Sequence, residues 1–248
     1  MAKPGISSSI WPKTGVIKNW EKTDYTEKQA DRIVKRINGM LDRLPEVVKQ
    51  AHERIIGERQ VKNHKKILSV HEQNIHVIKR GKAGRDVEFG NTLMLCEGLD
   101  GYVLDWEFHK DQAPGEAQPM RESFRRQGEL NLPTAVESAC SDRGFNSKEN
   151  SEWLKDKEIY DVTCPRSPAD LKRRMKEERF VNLQRRRGGT EGRIGIIKNR
   201  FHSGGCRAKG FEHRSLSVAW AVLGHNLWML ARRLAAEDAA RQRAARAA

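Results

Sequence analysis

Two carboxylates, Asp142 and Glu191, are the side chains of this chain best placed to do chemistry. Asp142 ends the strand-like stretch AVESACSD, and Glu191 stands in QRRRGGTEGRIGIIKNR, residues 184–200, among six arginines and lysines. Carboxylates are ligands of hard cations, and two-metal phosphoryl transfer uses several of them around cations about 4 Å apart. The pair therefore predicts a shared metal held against a phosphate backbone, at a site that usually needs a third carboxylate.

Each acid also has a simpler interpretation. Asp142 could bond its own backbone in a turn, because an aspartate followed closely by glycine is common in turns. Glu191 could be a solvated helix residue that forms an ion pair with Arg187, four positions earlier. In a continuous helix, Arg187, Glu191 and Lys198 share one face, which sets a cation on either side of the carboxylate. A helix that begins after the glycine pair 188–189 would instead leave Arg187 on a loop.

The elements that would position these acids predict an α/β fold built in mixed layers. An irregular lead-in, residues 1–24, precedes a helical region in which Thr26 and Gln29 form a capping box and Pro45 opens a second helix. Ligands of such sheets bind beyond the carboxyl ends of the strands, where Asp142 falls. The later predicted elements are strands at 66–79, 87–96 and 101–109, a helix at 120–127, a strand at 134–141, a helix from the cap at 146–147 through 154, a strand at 159–164, the basic helix at 184–200 and a final helix at 216–234.

The final predicted helix carries apolar residues at positions 216, 220, 223, 227, 230 and 234, which is the spacing of a packed helix face. Gly224, His225 and Asn226 interrupt its apolar run, so no membrane span is expected. The last fourteen residues are of low complexity and either extend this helix or fray. The four cysteines form no C-x-x-C pair and the chain starts without an apolar leader, so we expect a cytoplasmic protein.

The charge of the chain is uneven. Its net charge is +14 over 248 residues, and residues 165–214 alone carry fifteen Lys or Arg against five Asp or Glu. A surface of this kind attracts polyanions, and phosphate backbones are the usual ones. The alternative is a soluble surface that is basic without a specific partner.

Several segments resemble, in order, the catalytic region of bacterial insertion-sequence transposases, the DDE enzymes with a ribonuclease-H-like core. The similar segments are VHEQNIHVIKRGKAGRDVEFG, GYVLDWEFHKDQ, SDRGF, VTCPRSP and RRRGGTEGRIGIIKNRF, within roughly residues 65–230. In that family an Asp precedes a basic residue, Gly and an aromatic residue, as Asp142 does here. A later Glu has an Arg four positions before it and a Lys seven after it, as Glu191 has. The tyrosine often found three positions before that Arg is replaced by Gln184.

The resemblance implies a ribonuclease-H-like mixed sheet flanked by helices, with an N-terminal helical region. It implies DNA transposition with Mg²⁺, for which Mn²⁺ can substitute, at the terminal inverted repeats of the element and at target DNA. The active species would be a nucleoid-associated homo-oligomer on double-stranded DNA, with no membrane partner. The implied domains are a lead-in and helical region at 1–62, the catalytic core at 63–234 and a tail at 235–248. The implied site residues are Asp142 and Glu191 as catalytic metal ligands, and Arg187, Arg193, Lys198 and Arg200 as DNA-binding residues.

The first acid of the family's three has no match in this chain. In the family it ends the first core strand, upstream of the predicted strands, where this sequence has only Asp24, Asp31 and Asp42 in or beside predicted helices. Asp105 lies on a strand, but its segment matches a later family strand without a catalytic acid. We therefore expect this chain to be the C-terminal part of a transposase, with its activity and stability lowered by the missing acid and strand.

Two other classes of function stay open at this point. One is a non-catalytic DNA-binding remnant that keeps the basic surface, and the other is a basic RNA-binding or ribosome-associated protein. Cleavage that Glu191→Gln abolishes would exclude the first of these. A preference for structured RNA over duplex DNA at matched salt would favour the second.

Overall fold

The computed structural model describes residues 24–82, 85–111, 117–130, 136–201 and 208–247, and the chain is a mixed α/β protein. All but the last residue of the predicted lead-in, 1–24, lies outside the described residues. Contacts divide the chain into two compact units, residues 1–73 and residues 74–248. The first unit contains α1 (Glu27–Leu41), α2 (Leu44–Ile55) and a 3-10 turn at Asn63–Lys65.

The second unit begins with two hairpins and ends with two long helices. Its elements in chain order are β1 (His76–Lys82), β2 (Arg85–Gly90), β3 (Leu93–Glu97), β4 (Val103–Phe108), α3 (Ala117–Glu129), β5 (Ser138–Ala139), a 3-10 turn (Arg143–Phe145), α4 (Lys148–Asp156), β6 (Tyr160–Asp161), α5 (Pro168–Arg174), α6 (Glu178–Ile196), a π-helical turn (Ile197–Phe201) and α7 (Phe211–Ala247).

Both helices described in the first unit start where local sequence signals predict. The Thr26 backbone N–H donates to Gln29 Oε1 at 2.7 Å, which is one half of the predicted capping box. Pro45 lies in the first turn of α2, where its missing N–H costs no hydrogen bond. Both predictions are confirmed. Such predictions are possible because a helix start depends on residues only three or four positions apart.

The predicted strand at 66–79 is wrong over its first ten residues. Gln50 of α2 donates to the Ile67 carbonyl at 3.1 Å and accepts from the Ile67 N–H at 2.8 Å. Arg43 donates to the Val70 carbonyl at 2.6 Å. Side chains therefore satisfy backbone groups that a partner strand would otherwise take, and a strand forms only from His76 onward.

The predicted strand at 87–96 is two strands that belong to different hairpins. β2 pairs with β1, β3 pairs with β4, and both pairings are antiparallel. The break lies at Asn91, whose amide donates to the backbone carbonyls of Asn74 at 2.7 Å and His109 at 2.9 Å. Its amide thus bonds backbone carbonyls that precede the first hairpin and follow the second. The chain passes from one hairpin to the other at this residue. The predicted strand at 101–109 is confirmed as β4.

β5 and β6 form a short parallel pair that ends just before Asp142. Its hydrogen bonds run from Tyr160 N–H to Glu137 O at 2.9 Å through Cys164 N–H to Ser141 O at 3.2 Å. The regular strands are thus much shorter than the predicted strands at 134–141 and 159–164. Residues 131–135 lie outside the described residues. The predicted cap of α4 is confirmed, since Ser147 Oγ accepts from the Asn150 N–H at 3.1 Å.

The basic helix α6 runs without a break through the glycine pair 188–189 and then passes into the π-helical turn. Phe180, near its start, is fully buried, and the Arg174 guanidinium lies 4.6 Å from the centre of its ring. Because the helix is continuous through the glycines, the alternative of a helix that begins after them is wrong, and Arg187 is a helix residue. Arg187 and Glu191 lie one turn apart on the same face.

The last helix, α7, buries a different face from the predicted one. Its buried residues include Val218, Ala221, Val222 and His225, whereas the six apolar residues predicted to pack are all exposed. Periodicity alone cannot predict which of two apolar faces of one helix is buried. In α7 the buried face is determined by contacts with the neighbouring strand. Asn226 accepts from the Val103 N–H and donates to the Val103 carbonyl of β4, both at 2.9 Å, which turns this face inward.

The low-complexity segment after residue 234 continues α7 to Ala247. No helix of the described residues is long and apolar enough to cross a membrane. Among the described residues of the second unit, buried apolar side chains form two clusters. The first contains Val103, Ile197, Val218, Ala221 and Val222, and the second contains Met120, Ala139 and Leu154.

Candidate active site

Asp142 lies at the carboxyl end of β5, where the backbone leaves the parallel pair. Its carbonyl accepts from the Phe145 N–H at 3.0 Å, which closes the 3-10 turn that follows. The Asp142 side chain makes no cap bond to this turn and is 66 % exposed. The simple turn interpretation therefore accounts for its backbone but not for its carboxylate.

Arg187 of α6 brings the two predicted acids together. Its Nη1 atom donates to Asp142 Oδ1 and lies 3.5 Å from Glu191 Oε1. Asp142 and Glu191 are 49 positions apart in the sequence, yet they contact the same guanidinium nitrogen. The structure thus brings both acids into contact with Arg187, and the predicted metal site stays a prediction.

The electrostatics of this triad are those of two carboxylates around one cation. Glu191 is 68 % exposed, so both acids face solvent, whereas the Arg187 side chain is 29 % exposed. Arg187 Nε is buried and has no hydrogen-bond partner among the described residues. A guanidinium held only at its tip by exposed acids can turn toward another anion, such as a phosphate, at small cost.

The donor set fits one hard cation better than two. Mg²⁺ is commonly held by one or two carboxylates together with phosphate oxygens and water. Asp142 and Glu191 supply two such carboxylates on an exposed surface. The described residues contain no group of three or more potential metal-ligating His, Cys, Asp or Glu side chains. A second cation would need a further acid from outside this part of the chain.

Two further acids of the second unit have arginine partners of their own. Glu97, at the end of β3, accepts from Thr190 Oγ1 at 2.6 Å and is paired with Arg193. Asp105 of β4 accepts two hydrogen bonds from Arg126, at 3.0 and 2.8 Å. Both acids join a strand to a helix, and sequence reasoning did not find either pair. Their partners lie far away in the sequence, so no spacing could have revealed them.

Arg193, which the resemblance implied to be a DNA-binding residue, has an acidic partner within the chain. Its guanidinium pairs with Glu97, and its side chain is 25 % exposed. Its guanidinium also lies against Gly101, where a Cβ atom would displace the end of the Arg193 side chain. Gly101 has a φ of 88°, a backbone conformation that favours glycine.

Lys198 and Arg200 are exposed on the π-helical turn that follows α6. The Arg200 guanidinium lies 5.5 Å from the centre of the Trp228 ring, and Arg232 lies 4.7 Å from it. Cations held against an aromatic face keep their charge and hydrogen-bond donors turned to solvent. Exposed cations at these positions are accessible to an extended anion, and the DNA contacts implied for Lys198 and Arg200 stay a prediction.

Cys140 lies two residues before Asp142 and is not suited to act as a nucleophile. Desolvation raises the pKa of its thiol to about 11, with Arg187 opposing this shift and Asp142 adding to it. At neutral pH the thiol is therefore protonated, whereas nucleophilic cysteines need the thiolate.

Comparison of the chain with models of protein families, with curated proteins and with solved structures finds no match.

Proposed function

We propose that this chain is the catalytic region of a DDE-type transposase, with a ribonuclease-H-like arrangement of its strands and helices. The observation that carries the proposal is the contact of Asp142 and Glu191 with one nitrogen of Arg187. An acid at the end of a strand and an acid on a basic helix thus meet in a cationic surface. Such a surface suits metal-dependent cleavage and transfer of DNA strands.

In this proposal Asp142 and Glu191 hold Mg²⁺, and Mn²⁺ can replace it. A bound cation of this kind would lower the pKa of an attacking water and stabilise charge on the phosphate. Arg187 turns from the carboxylates to a phosphate of the DNA backbone, and Lys198 and Arg200 contact neighbouring phosphates. Arg193 positions α6 against β3 through Glu97 and does not contact DNA. These contacts fix the register of the DNA and carry no base specificity.

The test is strand cleavage and transfer on duplex DNA that carries the inverted repeats flanking this coding sequence, with Mg²⁺ or Mn²⁺. We expect slow cleavage that Glu191→Gln abolishes, because that change removes one of two described metal ligands. Glu178→Gln is the matched control, since Glu178 is an exposed acid in the first turn of the same helix. Loss of cleavage in both variants, or in neither, would contradict the assigned role of Glu191.

A second candidate is a DNA-binding protein without catalytic activity. It is favoured by the absence of a third acidic ligand among the described residues and by Arg187 lying where a cation would bind. This candidate predicts tight duplex binding that neither metal nor Glu191→Gln changes, and no cleavage in either metal. Stronger binding of structured RNA than of duplex DNA at matched salt would contradict both candidates.

A further inference from the structure

Helix α7 carries apolar side chains on two opposite faces. One face is buried against β4 and the π-helical turn, through residues that include Val218, Ala221 and Val222. The other face, called the outer stripe from here on, consists of six large apolar residues that are between 44 % and 65 % exposed. The outer stripe contains Leu216, Trp220, Leu223, Leu227, Leu230 and Leu234.

The outer stripe has the spacing of a helix–helix seam. Its residues follow one another at intervals of four, three, four, three and four positions, as the a and d positions of a heptad do. At about 100° per residue these six side chains fall within an arc of roughly 80°, over a length of about 27 Å. A face this narrow and regular matches a partner helix better than it matches an irregular surface.

The size of the outer stripe also fits a protein interface. Its six side chains expose roughly 600 Å² of mainly apolar surface, which approaches the ~800 Å² that each partner contributes to a standard interface. Monomers rarely leave a contiguous apolar patch of more than a few hundred Å² open to water. The polar and small residues that flank the stripe can contribute the remaining area.

We infer that the outer stripe is a self-association surface, on which α7 of a second copy of this chain packs antiparallel. The order of intervals reads the same in both directions, so a two-fold axis at position 225 maps the stripe onto itself. Leu216 then faces Leu234 of the second copy, Trp220 faces Leu230, and Leu223 faces Leu227. All six positions find apolar partners, and each pairing occurs twice.

Charge at the ends of the outer stripe favours the antiparallel arrangement. The next seam position after Leu234 is Glu237, and the one before Leu216 is His213. Glu237 accepts a hydrogen bond from Arg233 of its own helix at 3.0 Å. A parallel pair would set two such Glu237–Arg233 pairs side by side. The antiparallel pair sets each of them against the imidazole of His213, so no carboxylate faces a carboxylate across the seam.

Association can be measured by sedimentation velocity of the full chain without DNA over a concentration series. We expect a reversible dimer whose dissociation constant rises about a hundredfold in Leu227→Glu, because a carboxylate would enter the apolar seam. Leu99→Glu is the matched control, since Leu99 is 70 % exposed but lies in the β3–β4 turn. Circular dichroism of each variant shows that its fold is kept. A monomer at every concentration, or equal weakening by both changes, would overturn the inference.

The orientation has its own test. Leu223→Cys and Leu227→Cys chains are each oxidised alone and then as a mixture, with the unsubstituted chain reporting the background from native cysteines. Antiparallel packing predicts a disulfide-linked dimer mainly in the mixture, because positions 223 and 227 face each other. Strong cross-linking of each variant alone would overturn the antiparallel arrangement. Neither test depends on the proposed catalytic function, since both are read without DNA or metal.

Discussion

Arg187 is the residue on which the candidate site depends. It contacts both Asp142 and Glu191 and offsets part of their charge, and it stands four positions before Glu191 on an unbroken helix. The same cation therefore competes with a metal for the two carboxylates and attracts the phosphate that the metal would act on. These two effects have opposite signs and can be separated by one substitution.

We expect Arg187→Gln to bind Mn²⁺ several-fold more tightly and duplex DNA several-fold more weakly than the unsubstituted chain. Removal of the guanidinium takes away positive charge beside the carboxylates and also one phosphate contact, and solvent screening keeps both effects moderate. Calorimetry with Mn²⁺ and fluorescence anisotropy with DNA measure them.

Arg186→Gln is the control, because Arg186 is an exposed neighbour on the same helix with no contact to either acid among those described. Equal changes in Mn²⁺ affinity for the two variants would contradict the role of Arg187 between the acids.

Cys140 gives a pH test of the environment beside Asp142. Since its pKa is raised to about 11, its thiolate fraction should rise roughly tenfold per pH unit from pH 8 to pH 10. Alkylation of Cys140 by iodoacetamide, followed by mass spectrometry of its peptide, should follow that rise. A rate that levels off above pH 9 would indicate an ordinary thiol and would contradict the desolvated site.

At the scale of elements, ion pairs and amide bonds join the strands to the helices around the site. Arg193 joins α6 to β3 through Glu97, Asn226 joins α7 to β4, and Arg126 joins α3 to β4. Arg126 contacts both Asp105 and Glu107, and its hydrogen bonds to Asp105 raise its pKa. These contacts hold α6 and the strands together, so they affect the site without touching it.

We expect Arg126→Ala to lower the free energy of unfolding by about 2 kcal/mol, because Asp105 is largely buried and would lose its partner. Urea denaturation measures this loss. Arg125→Ala is the matched control one residue away, since Arg125 pairs only with the exposed Glu122 and Glu129 among the described contacts. We expect no measurable change there. A similar loss in both variants would mean that helix propensity, and not the ion pair, sets the stability.

At the scale of the whole molecule, charge dominates what the chain can bind. The segment 165–214 holds fifteen of the forty-seven Lys and Arg residues in about a fifth of the length, together with only five acids. Such a segment attracts polyanions over distances that single contacts do not reach. Binding to a duplex should therefore depend steeply on salt.

We expect the DNA affinity to fall at least tenfold between about 50 and 200 mM salt, as counterions are released from several phosphates. The double variant Lys198→Gln, Arg200→Gln should lower the slope of log affinity against log salt by about two. Fluorescence anisotropy over a salt series measures both slopes. The control is Lys155→Gln, Lys157→Gln, since these exposed lysines lie outside the basic segment. An unchanged slope in the first variant would place the DNA elsewhere on the surface.

Local signals in the sequence predicted the starts of helices and one strand well. The caps at Thr26 and Ser147, the proline at the start of α2 and the strand at 101–109 all depend on neighbours within a few positions. The long-range partners were not predictable in this way. The sequence predicted that Asp142 and Glu191 share a site, but the contact of Arg187 with Asp142 spans 45 positions and depends on how α6 packs against β5.

The sequence by itself determined the charge, the acids on strand and helix, and the apolar periods of the helices, because these are properties of residue types and spacing. Only the tertiary structure decided which apolar face of α7 is buried, since Asn226 and the edge of β4 select one of two faces. It also decided that the side chains of Gln50 and Arg43 bond the backbone carbonyls of Ile67 and Val70, so that residues 66–70 form no strand. In each case the deciding hydrogen bond joins residues far apart in the chain, and its energy is gained only when those elements pack together.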